Sequence, residues 1–362
     1  MVNYLKKLDW TLIGLVILLS IIGLVCIYSV SLTGNNFFNF KKQLIFLLVG
    51  FSLMIILGFF DWRGFRDNSY LILVLYAICN LLLLGLLIFV PEIRGIKGWY
   101  RIGPFSFDPI GITTIILIIL LAKFFSKRHV EMYKLHHIIL SGLYTIVPFS
   151  LIAAQPDLGS ALILLAIWVG ALIISGIKLK HFLVLVLLGI VVFVISWGLL
   201  LKDYQKNRII SFLTPQAETL GINWSQTQSK IAIGSGGILG QGFGSGSQTQ
   251  NGFLSEPYTD FIFSVFAEEF GLIGISILLI LLLILLFRII RVALRAESNF
   301  PRLFASALAI FIFFQSSVHM GMNLGVFPVI GLPLPFVSYG GSNLIAIFIG
   351  LGILQSIHVN QT

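Results

Sequence analysis

The sequence predicts an all-α integral membrane protein, and three properties of the chain support this fold class. Of its 362 residues, 58% are hydrophobic and only 10% are charged, whereas soluble domains have roughly 45–50% and about 25%. The mean hydropathy is +1.03. The apolar residues form continuous runs of about 20 residues, the length that a helix needs to cross a bilayer. These runs do not alternate with polar residues, which favours helices over barrel strands.

Ten candidate spans follow one another in a single polytopic domain that covers residues 1–362. They lie at 10–29, 43–60, 70–90, 110–126, 136–153, 159–176, 181–201, 261–287, 303–323 and 338–357. Each run is long and apolar enough, or nearly so, to be read as a transmembrane helix. An even number of spans places both termini on the same side of the membrane.

The basic residues indicate which side that is. Most of the 23 Lys and Arg residues lie in short loops on the side of the termini. Cytoplasmic loops carry such an excess, so we expect both termini in the cytoplasm of a multi-pass protein of the plasma membrane. The net charge of +9 is therefore interpreted as a topology signal, and no nucleic-acid partner is expected.

A long extracytoplasmic loop, about 202–259, precedes the eighth span. It contains a possible short amphipathic helix from Trp224 to Ala232 and then a glycine-rich run at 234–246. The run lacks both Gly-x-Gly-x-x-Gly and a following Gly-Lys-Ser/Thr, so no nucleotide is expected. We interpret the glycines as a loop packed closely against other backbone. Shorter outer loops are predicted at 91–109 and 324–337.

Asp260, at the entrance to the eighth span, is the strongest candidate for chemistry. One interpretation is a helix cap formed by Thr259 or Asp260. The other is a partly desolvated carboxylate at the water–lipid boundary, suited to act as a general base. At about 100° per residue, Glu268 lies about 80° from Asp260 and Glu269 about 180° away. Glu268 is therefore expected to line the same cavity, and Glu269 to face another helix.

Two further ionisable residues have open interpretations. Asp157 opens the sixth span, where it is expected either to cap the helix or to face a polar outer cavity. His319 lies within the ninth span, where ionisable groups are functional candidates. The alternative for His319 is a packed, hydrogen-bonded side chain.

Five stretches carry a resemblance to a known family. They are Gly-Trp-Tyr-Arg-Ile-Gly-Pro at 98–104, Gln-Pro-Asp-Leu-Gly-Ser at 155–160, Ser-Lys-Ile-Ala-Ile-Gly-Ser-Gly-Gly at 229–237, the segment 259–271, and Gly-Leu-Pro-Leu-Pro-Phe-Val-Ser-Tyr-Gly-Gly-Ser at 331–342. Together they resemble the SEDS family of bacterial membrane proteins over nearly the whole chain. The stretch 247–250 is similar to the RodA branch of that family.

The resemblance implies a peptidoglycan glycosyltransferase that polymerises lipid II at the outer face of the plasma membrane, for elongation and rod shape. The family's essential aspartate falls on Asp260, which is expected to deprotonate the acceptor hydroxyl, with undecaprenyl diphosphate as the leaving group. A divalent cation, Mg or Mn, is expected at the diphosphate, although its ligands are unknown. The implied partners are a class B penicillin-binding protein, which is a transpeptidase, and other membrane proteins of the elongation complex.

Several residues are candidates for substrate binding. Arg101 and Lys230 are the first choices among the outer cations that could hold the diphosphate; the others are Arg94, Lys97 and Arg208. Asp108 and Asp157 are candidates for holding a metal. The remaining candidates are Glu268, Ser338, Tyr339, Gly340, Gly341 and Ser342.

The fourth span departs from the family pattern. Gly111 and Thr114 stand where the family commonly has Glu and Lys, and His319 stands at a common Asn. This departure leaves two alternatives open beside an active polymerase. One is a catalytically weak or inactive scaffold of a wall-synthesis complex. The other is a flippase of lipid-linked precursors, although transport requires ionisable groups deep in several spans.

Overall fold

A computed structural model describes residues 6–92, 97–103, 105–128, 135–199, 206, 210 and 224–361. Within them the chain is almost entirely helical. The helices are α1 (Trp10–Thr33), α2 (Phe38–Phe59), α3 (Arg63–Asp67), α4 (Ser69–Phe89), α5 (Ile110–Arg128), α6 (Leu135–Ala154), α7 (Leu158–Ile174), α8 (Leu179–Leu199), α9 (Trp224–Ser235), α10 (Ser247–Gln250), α11 (Ile262–Arg295), α12 (Asn299–Leu324) and α13 (Gly341–Gln361).

The predicted helical membrane fold is confirmed. In the described part of the chain, 9 helices are long and apolar enough to span a bilayer. The remaining predicted span, the sixth, is α7, an apolar helix of 17 residues. The predicted amphipathic helix in the long loop is α9, which runs three residues further than expected.

One feature of the outer loop 91–109 was not predicted. Strands β1 (Tyr100–Ile102) and β2 (Phe105–Phe107) form an antiparallel hairpin in which Arg101 pairs with Ser106. The hydroxyl of Tyr100 donates a hydrogen bond of 2.6 Å to the carbonyl of Leu82 in α4. This bond fixes the hairpin to the helix bundle.

Three helices form the centre of the bundle. In the membrane windows of α5, α12 and α13, 83%, 67% and 72% of the residues are buried, whereas none of the α8 window is. Helix α13 packs along α2, and α12 lies between α5 and α11. The apolar surface of α8 is therefore left for lipid, while α5, α12 and α13 provide a fixed frame.

The two ends of the bundle differ in structure. At the end that carries both termini, helices are joined by short connectors, and Asp9 caps α1 by accepting from the amide of Leu12 at 3.0 Å. The opposite end, which we call the outer end, contains the hairpin, the glycine-rich loop and the proline-rich segment 325–340. The candidate residues for catalysis and substrate binding that the structure describes lie at or near the outer end.

Candidate active site at the outer end of the bundle

Asp260 lies in the turn that leads into α11, and its side chain is half-buried. The N-cap residue of α11 is Phe261, so the prediction that Thr259 or Asp260 occupies the cap position is wrong. The Asp260 carboxylate lies beside the backbone of Gly331, where an added Cβ would be 3.8 Å from Oδ2. The position of Asp260 is therefore set by the turn and by the segment around Gly331.

Three hydrogen bonds hold the backbone on both sides of that carboxylate. The Ser338 hydroxyl donates to the carbonyl of Thr259 at 2.8 Å. The amide of Tyr339 donates to the carbonyl of Tyr258 at 2.8 Å. The side-chain amide of Asn323 donates to the carbonyl of Asp260 itself at 2.9 Å. Ser338 and Tyr339 thus contribute to the site by positioning the Asp260 turn.

Asn323, which sequence reasoning did not single out, is the centre of a buried polar network. Its Oδ1 accepts from the backbone amide and the hydroxyl of Ser264 in α11, at 3.2 and 2.6 Å. Its own carbonyl accepts from the hydroxyl of Ser229 in α9 at 2.7 Å. The three side chains are fully buried. One feature of the sequence could have identified Asn323. It is a side-chain amide near the end of an apolar helix, and a buried polar group there needs hydrogen-bond partners.

His319 lies one turn before Asn323 and is also fully buried. Its Nδ1 lies 2.7 Å from the carbonyl of Leu332. Because a carbonyl only accepts, Nδ1 carries the proton in this arrangement. Nε2 has no hydrogen-bond partner among the described residues. The packed interpretation of His319 is the one that this geometry supports, and the bond fixes the backbone at Leu332, the residue after Gly331.

Asp108 and Asp157 lie close enough to interact electrostatically. Asp157 caps α7, since its carboxylate accepts from the amide and the hydroxyl of Ser160 at 3.0 and 2.7 Å. Asp108 accepts from the amide of Ile110 at 2.8 Å. Desolvation by the surrounding protein raises the pKa of Asp108 to about 7, and the charge of Asp157 adds to this increase. Desolvation also raises the pKa of Asp157.

The segment 330–342 connects the three aspartates. A Cβ at Gly159 in α7 would lie 2.7 Å from the carbonyl of Ile330, so α7 approaches this segment at backbone distance. At the other end of the segment, the Ser342 hydroxyl accepts from the amide of Asp108 at 2.9 Å. Asp260, Asp157 and Asp108 are therefore arranged along one short stretch of backbone.

Gly340 and Gly341 lie where this segment joins α13. The amide of Gly340 is 3.4 Å from Oε1 of Gln43, whose Nε2 donates to the carbonyl of Ser338 at 3.2 Å. A Cβ at Gly341 would overlap the ring of Phe46 in α2. Gly341 lets α2 approach closely, whereas a Cβ at Gly340 would lie 3.7 Å from the Cβ of Pro333.

Gly111 and Thr114 leave little room for the family's Glu and Lys. A Cβ at Gly111 would lie 3.0 Å from the Cβ of Ala346 in α13. Thr114 is buried, and its hydroxyl donates to the carbonyl of Ile110 at 2.9 Å. At these two positions the chain therefore has close packing of α5 against α13 instead of a Glu and a Lys. Any positive charge that stabilises the donor substrate must come from other residues.

Glu268 is placed differently from the prediction. It is fully buried, and its carboxylate accepts from the amides of Gln248 and Thr249 at 2.6 and 3.1 Å and from the Thr249 hydroxyl at 2.7 Å. It therefore fixes α10 to α11 rather than lining a cavity beside Asp260. Glu269 faces α1, as expected, because Ser29 donates to its Oε1.

The glycine-rich loop packs against a kink in α11. Gly271 has φ 63 and ψ −162, which interrupts the helix. The loop supplies partners for four backbone groups around the kink: Gln241 and Gly242 donate to the carbonyls of Glu268 and Glu269, and Leu272 and Ile273 donate to the carbonyls of Gly237 and Ile238. A Cβ at Gly240 would overlap the carbonyl oxygen of Glu269. The prediction of a loop packed against backbone is confirmed.

The two first-choice cations lie on different elements, Lys230 on α9 and Arg101 on the hairpin. Lys230 is exposed, and its aliphatic chain lies over Gly325, where an added Cβ would be 3.1 Å from Cδ of the lysine. Gly325 ends α12 two residues after Asn323, so Lys230 borders the network that holds Asp260. Arg101 is exposed on the hairpin that leads to Asp108. Arg94 and Arg208 lie outside the described residues, and Lys97 donates to the carbonyl of Leu87 at 3.0 Å.

The residues that fit the expected divalent cation best are Asp108 and Asp157. No group of three His, Cys, Asp or Glu residues with metal-binding geometry occurs in the part of the chain that the structure describes. Mg²⁺ commonly uses one or two carboxylates, with water and substrate phosphates completing its shell. Two neighbouring, partly exposed carboxylates fit that mode of binding when they are ionised.

These features define a class: a polytopic helical membrane protein with a preorganised carboxylate site at one membrane surface. A family model described as "Cell cycle protein", for FtsW, RodA and SpoVE, matches residues 8–362. The chain belongs to this family, which is the SEDS family that its motifs resemble. It is accordingly a multi-pass protein of the bacterial plasma membrane.

Relatives of known function match the chain along its length. It is 35% identical to peptidoglycan glycosyltransferase MrdB of Escherichia coli over 354 residues, covering 98% of this chain and 94% of the relative. It is 33% identical to stage V sporulation protein E of Bacillus subtilis over 361 residues, covering 96% of each.

Solved structures agree with this assignment. A chain from a structure described as "Structural coordination of polymerization and crosslinking by a peptidoglycan synthase complex" superposes with a TM-score of 0.83 at 32% identity, covering 98% of both chains. RodA of Thermus thermophilus superposes with a TM-score of 0.71 at 30% identity, covering 98% of this chain and 97% of the other. An aspartate-to-alanine variant of that protein gives 0.72.

Proposed function

We propose that this peptidoglycan glycosyltransferase polymerises lipid II at the outer end of the bundle and uses Asp260 as its general base. One observation carries the proposal: a half-buried carboxylate stands on a turn that Asn323, Ser338 and Tyr339 hold by three hydrogen bonds. Preorganisation of this kind reduces the reorganisation needed to reach the transition state.

In the proposed reaction, the Asp260 carboxylate accepts the proton of the GlcNAc 4-hydroxyl of the acceptor. The oxygen then forms a bond to the anomeric carbon of the donor. The bond between that carbon and the diphosphate oxygen breaks, and undecaprenyl diphosphate leaves with the electron pair. The half-buried position of Asp260 allows it to reach a hydroxyl that approaches from the aqueous side.

Positive charge must stabilise the departing diphosphate. Lys230, which borders the Asn323 network, is the first candidate, and Arg101 on the hairpin is the second. Asp108 and Asp157 are the residues that would hold a divalent cation, which supplies further positive charge to the diphosphate when bound. Ser342 fixes the backbone of Asp108 and thereby orients this pair.

The proposed partner is inferred from a solved structure that contains a chain similar to this one. In the peptidoglycan synthase complex that superposes with this chain, polymerization is coordinated with crosslinking. We infer that this chain works with a class B penicillin-binding protein, which supplies the transpeptidase, and with other membrane proteins of the elongation complex. The similarity to MrdB along nearly the whole chain supports a role in elongation and rod shape.

The test is polymerisation of lipid II by the purified full-length chain, with and without its cognate penicillin-binding protein. Asp260→Asn keeps the size of the side chain but removes the base, and we expect the rate to fall by about 10²–10⁴. Asp61→Asn is the matched control, because Asp61 is an exposed carboxylate at the opposite end of the bundle; its rate should equal that of wild type.

Three outcomes would change the assignment. A folded Asp260→Asn variant that polymerises at the wild-type rate would remove Asp260 from the chemistry. A wild-type chain that never polymerises lipid II, even with an active partner, would indicate a scaffold. Movement of lipid II across liposome membranes without polymerisation would indicate a flippase.

A further inference from the structure

Two exposed aromatic side chains lie on the outer loop next to the Asp260 turn, and the proposed reaction does not use them. Trp224 is the first residue of α9 and is 39% exposed, and Phe253 lies between α10 and α11 and is 45% exposed. The hydroxyl of Ser255 donates to the hydroxyl of Ser225 at 2.6 Å, so the two segments that carry the rings are neighbours. We call these four residues the aromatic ledge.

The aromatic ledge is joined to the Asp260 turn by a short, closed stretch of chain. Leu254, in the middle of the ledge segment, is buried in a small apolar cluster with Phe261, the residue after Asp260. The carbonyl of Glu256 accepts from the amide of Phe261 at 3.3 Å. Glu256 has a φ of 48°, a left-handed conformation that is uncommon outside glycine. The ledge and the Asp260 turn are therefore held in a fixed relative position.

The direction of α9 places the ledge on the aqueous side of the site. Near the middle of this helix, the hydroxyls of Ser229 and Ser264 lie 2.6 Å apart. Just beyond its last residue, a Cβ at Gly236 would overlap the carbonyl oxygen of Ala267, which is about one turn deeper in α11. Helix α9 thus runs inward, and Trp224 lies about 7.5 Å further out than Ser229 at 1.5 Å per residue.

This combination of groups suits a sugar polymer. The CH groups on the face of a sugar ring are slightly positive and pack against the electron-rich face of an aromatic ring. Hydroxyl groups donate and accept hydrogen bonds, as the hydroxyl and acetamido groups of amino sugars require. A phospholipid headgroup would instead need cations, whereas the residue that follows the ledge is an exposed carboxylate, Glu256.

We propose that the aromatic ledge binds the sugar chain of the growing glycan strand and keeps the strand attached between successive rounds of polymerisation. This inference rests on the proposed function, which supplies the strand. Each round adds sugars at Asp260, and the lengthening chain must extend from there into the aqueous phase. The ledge lies on that route, because it is fixed to the Asp260 turn and directed outward. Lys230, the first candidate for the diphosphate, lies deeper in α9 than Trp224, so the diphosphate and the sugars would follow one helix outward.

The experiment measures binding of a soluble glycan of several GlcNAc–MurNAc units, free of lipid and peptide, to the purified full-length chain. Phe253→Leu and Trp224→Leu remove the ring but keep an apolar side chain, whereas Phe253→Tyr and Trp224→Tyr keep a ring. Phe243→Leu is the matched control, because Phe243 is 46% exposed at the outer end but its ring stacks on Tyr28 in α1. The lengths of the strands made from lipid II are measured on the same proteins.

We expect the Kd of the glycan to rise by about three- to tenfold in each Leu variant, as for the loss of one aromatic contact. The Tyr variants and Phe243→Leu should bind nearly as wild type does. The two Leu variants at the ledge should also release shorter strands, because faster dissociation ends each strand earlier. Melting temperatures should stay close to wild type, since the substituted side chains are exposed.

Four results would overturn the proposal. No glycan binding by wild type, or unchanged binding in both ledge Leu variants, would remove the site. Equal weakening in the Leu and Tyr variants would exclude stacking on the rings. Equal weakening in Phe243→Leu would show a general effect on the outer loop. Unchanged glycan binding with loss of association with the penicillin-binding protein would assign the surface to that protein.

Failure of the proposed function would give a different result. A chain that never polymerises lipid II, but binds the soluble glycan through Trp224 and Phe253, would retain the sugar site and lose the polymerase assignment. A chain that polymerises lipid II normally, with glycan binding and strand length unaffected by either Leu variant, would retain the polymerase assignment and lose the ledge.

Discussion

The outer end of the bundle and the end with both termini are held together by different interactions. At the outer end, buried amides, hydroxyls and carboxylates bind irregular backbone: Asn323 and Ser338 hold the Asp260 turn, and Glu268 holds α10. At the other end, the Arg288 guanidinium contacts both carboxylate oxygens of Asp9 at 3.0 and 2.6 Å. There the bonds join one helix end to another.

The two kinds of contact are therefore expected to affect different measured properties, the free energy of unfolding and the turnover. Bonds between helix ends fix how the helices pack, so their loss should lower the free energy of unfolding without changing the turnover of molecules that remain folded. Bonds to irregular backbone at the outer end also set the position of Asp260. Their loss should reduce both quantities, and four predictions test the distinction.

The largest effect on stability is expected for Arg288→Gln at the end with both termini. Asp9 is almost fully buried, and this substitution leaves its charge without the cationic partner. Breaking a buried ion pair by removing one member lowers the free energy of unfolding by about 3–5 kcal/mol. Denaturation and polymerisation assays on the same preparation should show a less stable protein whose turnover per folded molecule is unchanged. A matching loss of turnover would contradict the separation.

Asn323→Leu is the corresponding test at the outer end. It leaves the carbonyl of Asp260 without its side-chain donor, and an unpaired buried polar group is destabilising by about 1–3 kcal/mol. Because the Asp260 turn loses a support, we expect turnover to fall as well as the melting temperature.

The control lies two turns earlier in α12. Gln315 is equally buried, but both its side-chain polar atoms lack partners among the described residues. Gln315→Leu should therefore leave stability unchanged or raise it, with normal turnover. If Asn323→Leu and Gln315→Leu behaved alike, the hydrogen bond to Asp260 would have no role.

The glycine-rich loop gives a third, smaller test. Gly240→Ala places a Cβ against the carbonyl of Glu269 at a residue with φ +83, a conformation that is destabilising for alanine by about 1–2 kcal/mol. Gly234→Ala is the control, because nothing lies within 4 Å of a Cβ added there. We expect a lower melting temperature only for Gly240→Ala. Equal melting temperatures would mean that the loop does not need to contact the kink.

The helices were predictable from sequence because a span is specified by its own apolar run, whatever its neighbours are. The close packing of the glycine loop was also predictable, since glycine is favoured where backbones approach. The kink at Gly271 was not, because a single glycine in an apolar run is equally compatible with a straight helix. The β-hairpin was missed for a similar reason: three-residue strands have no readable period.

The misplaced Glu268 has a specific cause. The predicted angle of about 80° assumed that Asp260 belongs to the same helix, whereas α11 begins at Ile262 and Asp260 lies in the preceding turn. Asn323 was missed because its importance comes from Asp260 and Ser264, which are 63 and 59 residues away in sequence. Contacts of that kind depend on tertiary structure, which no local pattern contains.

The last prediction concerns the pH dependence of Asp108. Desolvation raises its pKa from an ordinary value of 3.8 to about 7, against the opposing hydrogen bond from Ile110. Between these two values the folded protein binds more protons than the unfolded chain. The contribution of Asp108 to stability is therefore present at low pH and is lost as the pH rises through about 7.

Melting temperatures measured from about pH 3 to about pH 8, a range that brackets both pKa values, should show this loss in wild type and a flatter profile in Asp108→Asn. Asn keeps the oxygen that accepts from Ile110 but does not titrate. Asp157→Asn removes the charge that adds to the raised pKa of Asp108, so the loss should move to lower pH. An Asp108→Asn profile identical to wild type would assign the slope to other groups. Because the ionised form is the one that would hold a divalent cation, Mn²⁺ binding should increase over the same pH range in which stability declines.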